Sequence, residues 1–263
     1  MSREFLKIEQ VEGVVTITLD RPDVLNSFHR PMAAELQAEL HALAERAEVR
    51  AVILTGAGRA FCAGQDLAAV IGPDGNALDD LRGIVRECYN PIVRQLQTLP
   101  KPVIAAVNGV AAGAGANIAL ACDFVLASES ASFIQAFSKI GLIPDSGGTY
   151  FLPRLVGRAR ATALAMLGEK LAAVDAVAMG LIYRAVPAEQ LSEQAMALAQ
   201  RLAAMPTRGL ALTKAAFLAS GCNALDAQLD LEEQLQSEAG ATEDYREGVQ
   251  AFLHKRVPRF VGR

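Results

Sequence analysis

Two short apolar runs, residues 51–55 and 103–107, constrain this chain more than any other feature of it. Each is too short for a helix and lacks the polar alternation of a half-exposed strand, so each is expected to be a strand covered on both faces. Both empty into small residues, GAGRAFCAGQDL after the first and NGVAAGAGANIALACDF after the second. Buried strands that deliver glycine-rich loops are how α/β folds bring backbone up to a ligand. The segments around them agree with that class. Residues 6–9 and 14–19 alternate about Glu12 and Gly13 as a hairpin, and 124–127 is a further strand. Met32, Leu36, Leu40 and Leu43 form one helical stripe after Pro31. Leu78, Leu81, Val85, Cys88, Ile92, Leu96 and Leu99 form another, between a break at 72–76 and stops at Pro100 and Pro102. Past Gly157 the pattern is helical almost throughout, over 159–167, 172–179, 188–204, 208–219, 225–239 and 242–253. An α/β core over residues 1–190 with a helical C-terminal module over 191–263 follows.

A chain of 263 residues with 52% hydrophobic side chains has the material for a sizeable core. Its formal charge of -4 and pI near 5.5 advertise no basic face, which argues against a nucleic-acid partner. Cys62, Cys88, Cys122 and Cys222 form no C-x-x-C pair and sit in mostly apolar segments, so buried free thiols in a reducing cytoplasm are expected. No charged n-region followed by an apolar h-region opens the sequence, and no apolar run is long enough to span a membrane, so neither a leader nor a span is expected. A cytoplasmic protein is the expectation. The glycine turns fail the dinucleotide pattern G-x-G-x-x-G, because Ile118 and Phe61 stand where the third glycine belongs. No phosphate loop, H-E-x-x-H helix or nucleophile elbow occurs. His29, His41 and His254 have no flanking ligands, so neither a metal nor a serine triad is expected.

Two small-residue turns remain, and their backbone N–H groups suit an oxyanion hole, in which two donors meet one carbonyl oxygen. Equally, Gly64, Gly113 and Gly115 suit close packing of strand on helix. A third stretch, 133–157, holds a single carboxylate, Asp145, between Leu142-Ile143-Pro144 and Ser146-Gly147-Gly148. Such surroundings raise a carboxyl pKa toward the range useful for proton transfer. The competing reading makes Asp145 the N-cap of the helix that follows.

AFCAGQDL at 60–67, KPVIAAVNGVAAGAGANIALACDF at 101–124, GLIPDSGGTYFLPRLVG at 141–157 and DYREGVQAFLHKR at 244–256 occur in this order. Together they resemble the enoyl-CoA hydratase/isomerase, or crotonase, superfamily over essentially the whole chain. The resemblance implies repeated ββα units wound into a superhelical core, with the helical C-terminal module serving a homotrimer or a dimer of trimers. It implies an acyl-CoA thioester as substrate and no cofactor. By matching position, the oxyanion donors are the N–H groups of Gln65 and Ala114, and Ala63 and Asp66 meet the adenine. Lys255 is placed to reach CoA phosphates from a neighbouring subunit. Hydratases of this superfamily use two glutamates, and here Asn117 and Phe137 hold those positions. That leaves Asp145 as acid or base, with Asn117 beside it to hydrogen-bond the carboxylate or the substrate, or else only to satisfy a helix start. The closer likeness is to the subgroup that isomerises ring-1,2-epoxyphenylacetyl-CoA to its oxepin. A linear Δ3,Δ2-enoyl-CoA isomerase and a non-catalytic acyl-CoA-binding subunit are the alternatives.

Overall fold

A computed structural model describes residues 3–70 and 80–263. The expected hairpin is β1 (Leu6–Val11) and β2 (Val14–Leu19), with Val11 opposite Val14 and Glu12 left-handed at φ 51°. Helix α1 (Arg30–Glu45) follows and buries Met32, Leu36, Leu40 and Leu43. The chain then repeats one pattern three times. First come β3 (Ala51–Gly56) and β4 (Ala60–Cys62), then a helical segment built from α2 (Leu81–Ile84), a π-helical turn (Val85–Tyr89) and α3 (Asn90–Thr98). Next are β5 (Val103–Val107), β6 (Val110–Ala112) and α4 (Ala114–Leu120), and finally β7 (Phe124–Ser128), β8 (Ser132–Ile134) and α5 (Gly148–Leu167). After them lie β9 (Lys170–Ala172), α6 (Ala173–Ala178) and β10 (Arg184–Val186).

The first strand of each unit joins a six-stranded sheet of order β1-β2-β3-β5-β7-β10, and the second joins a four-stranded sheet of order β4-β6-β8-β9. Only β1 with β2 and β8 with β9 run antiparallel. This is the ββα repeat that the sequence resemblance implies. Period-two alternation divides the large sheet between two cores. Val52, Leu54, Val103, Ala105 and Val107 enter the main core with α1 and α4. Ala51, Ile53, Ile104 and Ala106 face the other way, onto Leu191, Ala195, Ala199 and Leu202 of α7 (Leu191–Ala203). Burial on both faces is why these strands read as unbroken apolar runs.

Three expectations need correction. The strands of the small sheet have three residues each, too few to show a period, and the sequence pattern does not reveal them. The long helix is interrupted by the π turn, because Pro91 lacks the N–H that would bond to the Glu87 carbonyl. The amide of Gln37 supplies that donor instead, 2.7 Å from Glu87 O and 3.1 Å from Cys88 O. Leu78 and the break at 72–76 lie outside the described residues. Third, Cys222 is exposed, while Cys62, Cys88 and Cys122 are buried free thiols. The chain ends in α8 (Thr207–Ser220), α9 (Leu225–Gly240) and α10 (Glu243–Leu253). Arg50 ties this end to the sheet through Thr207 Oγ1 at 2.8 Å and Phe260 O at 2.7 Å.

Candidate active site

Past β4 the chain runs alongside residues 25–28 as a single parallel bridge between Phe28 and Gln65. Gly64 O accepts from Phe28 N at 2.7 Å, and Asp66 N donates to Phe28 O at 2.8 Å. Successive N–H groups of extended backbone point to opposite edges. The Gln65 N–H therefore faces away from Phe28, and among the described residues it has no acceptor. The second turn is made differently. Gly113, at φ 53° and ψ -127°, ends β6 and caps α4, so the Ala114 N–H is one of the orphan donors of a helix's first turn.

Glycine packing and donor placement turn out to be one device. Gly64 adopts φ +90°, and a Cβ there would lie 2.8 Å from Ala112 O and 3.4 Å from Ala114 N, so the two turns meet backbone to backbone. A Cβ on Gly115 would fall 2.3 Å from Cys62 O, which seats α4 directly on β4. Side chains at either position would separate the donors.

Both turns line a cavity of about 230 Å³, together with Ala63, Tyr89, Phe137 and Asp145. Among the described residues Asp145 is its only carboxylate. The side chain does not cap α5: Gly147 takes the cap position without a side-chain bond, and Gly148 N donates to the Asp145 backbone oxygen at 2.8 Å. One carboxylate oxygen accepts from Ser146 Oγ at 2.8 Å. Burial pushes the Asp145 carboxyl above the usual carboxylate range, and the bonds from Ser146 and from its own backbone N–H offset this only in part.

Asn117 is fully buried. Its Nδ2 donates to Asp145 O at 2.8 Å, and its Oδ1 accepts from Gln135 Nε2 at 2.8 Å. It does not line the cavity. Asn117 thus grips the Asp145 main chain rather than its carboxylate. Asp66 is held by Arg21, whose Nη2 lies 2.9 Å from Asp66 Oδ2 while Nη1 donates to Ser27 O at 2.6 Å. Lys255 sits just past α10, exposed, and is not part of the cavity wall. Sequence reading missed Tyr89 and Arg21, since nothing local in either segment marks a partner in the 60–67 loop.

Fold and site together define a ββα superhelix in which two backbone donors and one desolvated acid share an apolar cavity. The chain belongs to the enoyl-CoA hydratase/isomerase family, whose profile matches residues 9–263. It is 52% identical over 261 residues to the 1,2-epoxyphenylacetyl-CoA isomerase of Escherichia coli, with 99% of each chain covered. It is 51% identical over 264 residues to a probable enoyl-CoA hydratase of Rhodobacter capsulatus, with 100% of both covered. The crystal structure of an enoyl-CoA hydratase from Bacillus anthracis superposes with a TM-score of 0.93 at 37% identity, over 99% of this chain and 100% of that one. Among the described residues there is no cluster of metal-ligating side chains, and no helix is long and apolar enough to cross a membrane.

Proposed function

We propose that this enzyme is an acyl-CoA isomerase that converts ring-1,2-epoxyphenylacetyl-CoA to the oxepin thioester and also shifts a Δ3 double bond to Δ2. The observation that carries the reading is Asp145, the single acid among the described residues that line the cavity, which it shares with the two backbone donors; the family resemblance puts Asn117 and Phe137 where hydratases keep their glutamates. In the double-bond shift the thioester oxygen accepts from the Gln65 and Ala114 N–H groups, which acidifies the neighbouring CH2. Asp145 takes a proton from one carbon and returns it to another. Each donor contributes on the order of 10² to 10³ in rate, and the base about 10² to 10⁴. The epoxide-to-oxepin step redistributes electrons within the ring and involves no net proton transfer. Neither reaction changes oxidation state, so the reading calls for no cofactor, and the CoA thioester is the substrate.

The same proposal places Ala63 and Asp66 at the adenine and Lys255 at the phosphates of a CoA bound to a neighbouring subunit, in a cytoplasmic homotrimer or dimer of trimers. Support for self-association comes from the C-terminal helices. α9 buries no side chain within its own chain, and Phe217 and Phe252 are 75% and 83% exposed. A mass-resolved assay over aryl- and alkenyl-CoA esters tests the function. Turnover of the aromatic epoxide to an isomer of equal mass is the expected result. Turnover of linear 3-enoyl-CoA alone would assign a fatty-acid isomerase. A 3-hydroxyacyl-CoA or free CoA would overturn isomerisation, and binding without turnover would leave a non-catalytic subunit.

A further inference from the structure

The Gln65 side chain points away from the role given to its backbone, yet it is fully engaged. Its Nε2 donates to Phe28 O at 3.0 Å and to Asp66 O at 3.2 Å, so the carboxamide straddles the bridge that orients the loop. Its Oε1 accepts from the Tyr89 hydroxyl at 2.5 Å. Tyr89 is 1% exposed, closes the π turn, and packs edge-on against Phe28 with ring centroids 6.0 Å apart. The π turn at Pro91, braced by Gln37, delivers this side chain to the inside. Desolvation raises the Tyr89 phenol far above its ordinary value, so the hydroxyl stays a donor at any working pH.

We propose that Tyr89 is a positioning residue for the first oxyanion donor: its hydroxyl holds the Gln65 carboxamide, which holds the 63–66 loop so that the Gln65 N–H points into the cavity. This inference rests on the proposed use of that N–H by the substrate carbonyl. Oxyanion stabilisation demands a donor at hydrogen-bond distance from where charge develops, and small misplacements cost rate rather than binding. A direct contact between the Tyr89 hydroxyl and substrate would instead act independently of the Gln65 side chain.

The test uses the full-length enzyme and a linear 3-enoyl-CoA, with Tyr89→Phe, Gln65→Leu and the double variant. Tyr89→Phe keeps the ring and Gln65→Leu keeps the backbone donor. Each is expected to lower kcat about tenfold with KM nearly unchanged, and the double variant to be no worse than the poorer single one. Difference infrared spectroscopy of a bound, carbonyl-labelled thioester reads the donor itself, and needs no turnover. The C=O band, shifted to lower frequency in wild type, is expected to move back toward the free thioester in both single variants. A Tyr89→Phe enzyme with wild-type kcat and wild-type band position would overturn the inference while leaving the isomerase reading intact. Multiplicative losses in the double variant would also overturn it. Absence of any carbonyl shift or turnover in wild type would instead remove the reading beneath it.

Discussion

The two turns proposed as an oxyanion hole face one cavity but are held in opposite ways. The Gly113–Ala114 turn is a matter of backbone alone: a strand ends, a glycine at positive φ reverses the chain, and a helix begins, leaving the Ala114 N–H without an acceptor inside its own helix. The Gly64–Gln65 turn is held by two distant side chains, Tyr89 on Gln65 and Arg21 on Asp66, above a backbone bridge to Phe28. A donor made by a helix start depends on what cannot be added there. A donor on an extended loop depends on what cannot be removed around it.

The contrast is broken most severely by changing the glycine on which both turns rely. Gly64→Ala pushes a methyl toward Ala112 O at a φ that alanine resists, and is expected to reduce kcat by about 10² to 10³, measured at saturating thioester. Removing the support under the acid comes next. Asn117→Ala leaves the Asp145 main chain less firmly held and Gln135 Nε2 unpaired. An expected loss of about 1–3 kcal/mol in denaturant titration accompanies a kcat lower by roughly tenfold. At the second turn, Ala114→Gly preserves the helix-start donor and is expected to cost less than about 1 kcal/mol in stability and little in rate. If it proved as damaging as Gly64→Ala, the proposed difference between the turns would be wrong.

Two smaller effects concern burial. The native fold holds the Asp145 carboxyl above its unfolded pKa, so ionising it disfavours folding at every pH above that raised value. Asp145→Asn should therefore melt higher than wild type near neutrality. The gain should shrink as pH falls through the raised value and vanish below the ordinary carboxylate range. The thiols give the mildest test: burial pushes Cys62 up to about 12. No more than one thiol per chain, that of exposed Cys222, is expected to react with a thiol reagent before unfolding.

The same division explains how much could be read from the chain. The hairpin, β3, β5, β7, α1 and the C-terminal helices announce themselves by period, because each is long enough to repeat it. The small sheet does not, since Cys62, Ala111 and Phe133 become strand residues only by pairing with one another across the repeats. The second turn was legible because its glycine, small residues and helix follow in order. Supports of the first turn lie 24 and 45 residues from the side chains they hold, beyond any local pattern. Whether Asp145 capped its helix or faced the cavity was undecidable in sequence. The answer depends on Gly147 as the cap residue and on an asparagine 28 residues upstream that holds the Asp145 carbonyl.

That carboxylate is the centre of the account, and the pH dependence of kcat/KM for a linear 3-enoyl-CoA reads it in the free enzyme. As a base, Asp145 works only when ionised, so the rate should climb with pH through an acid limb displaced above the ordinary aspartate value of about 3.9. In Asp145→Asn, most turnover and the limb itself should be lost. A wild-type limb at or below the ordinary value, or the same limb and near wild-type turnover in the asparagine variant, would contradict the assignment.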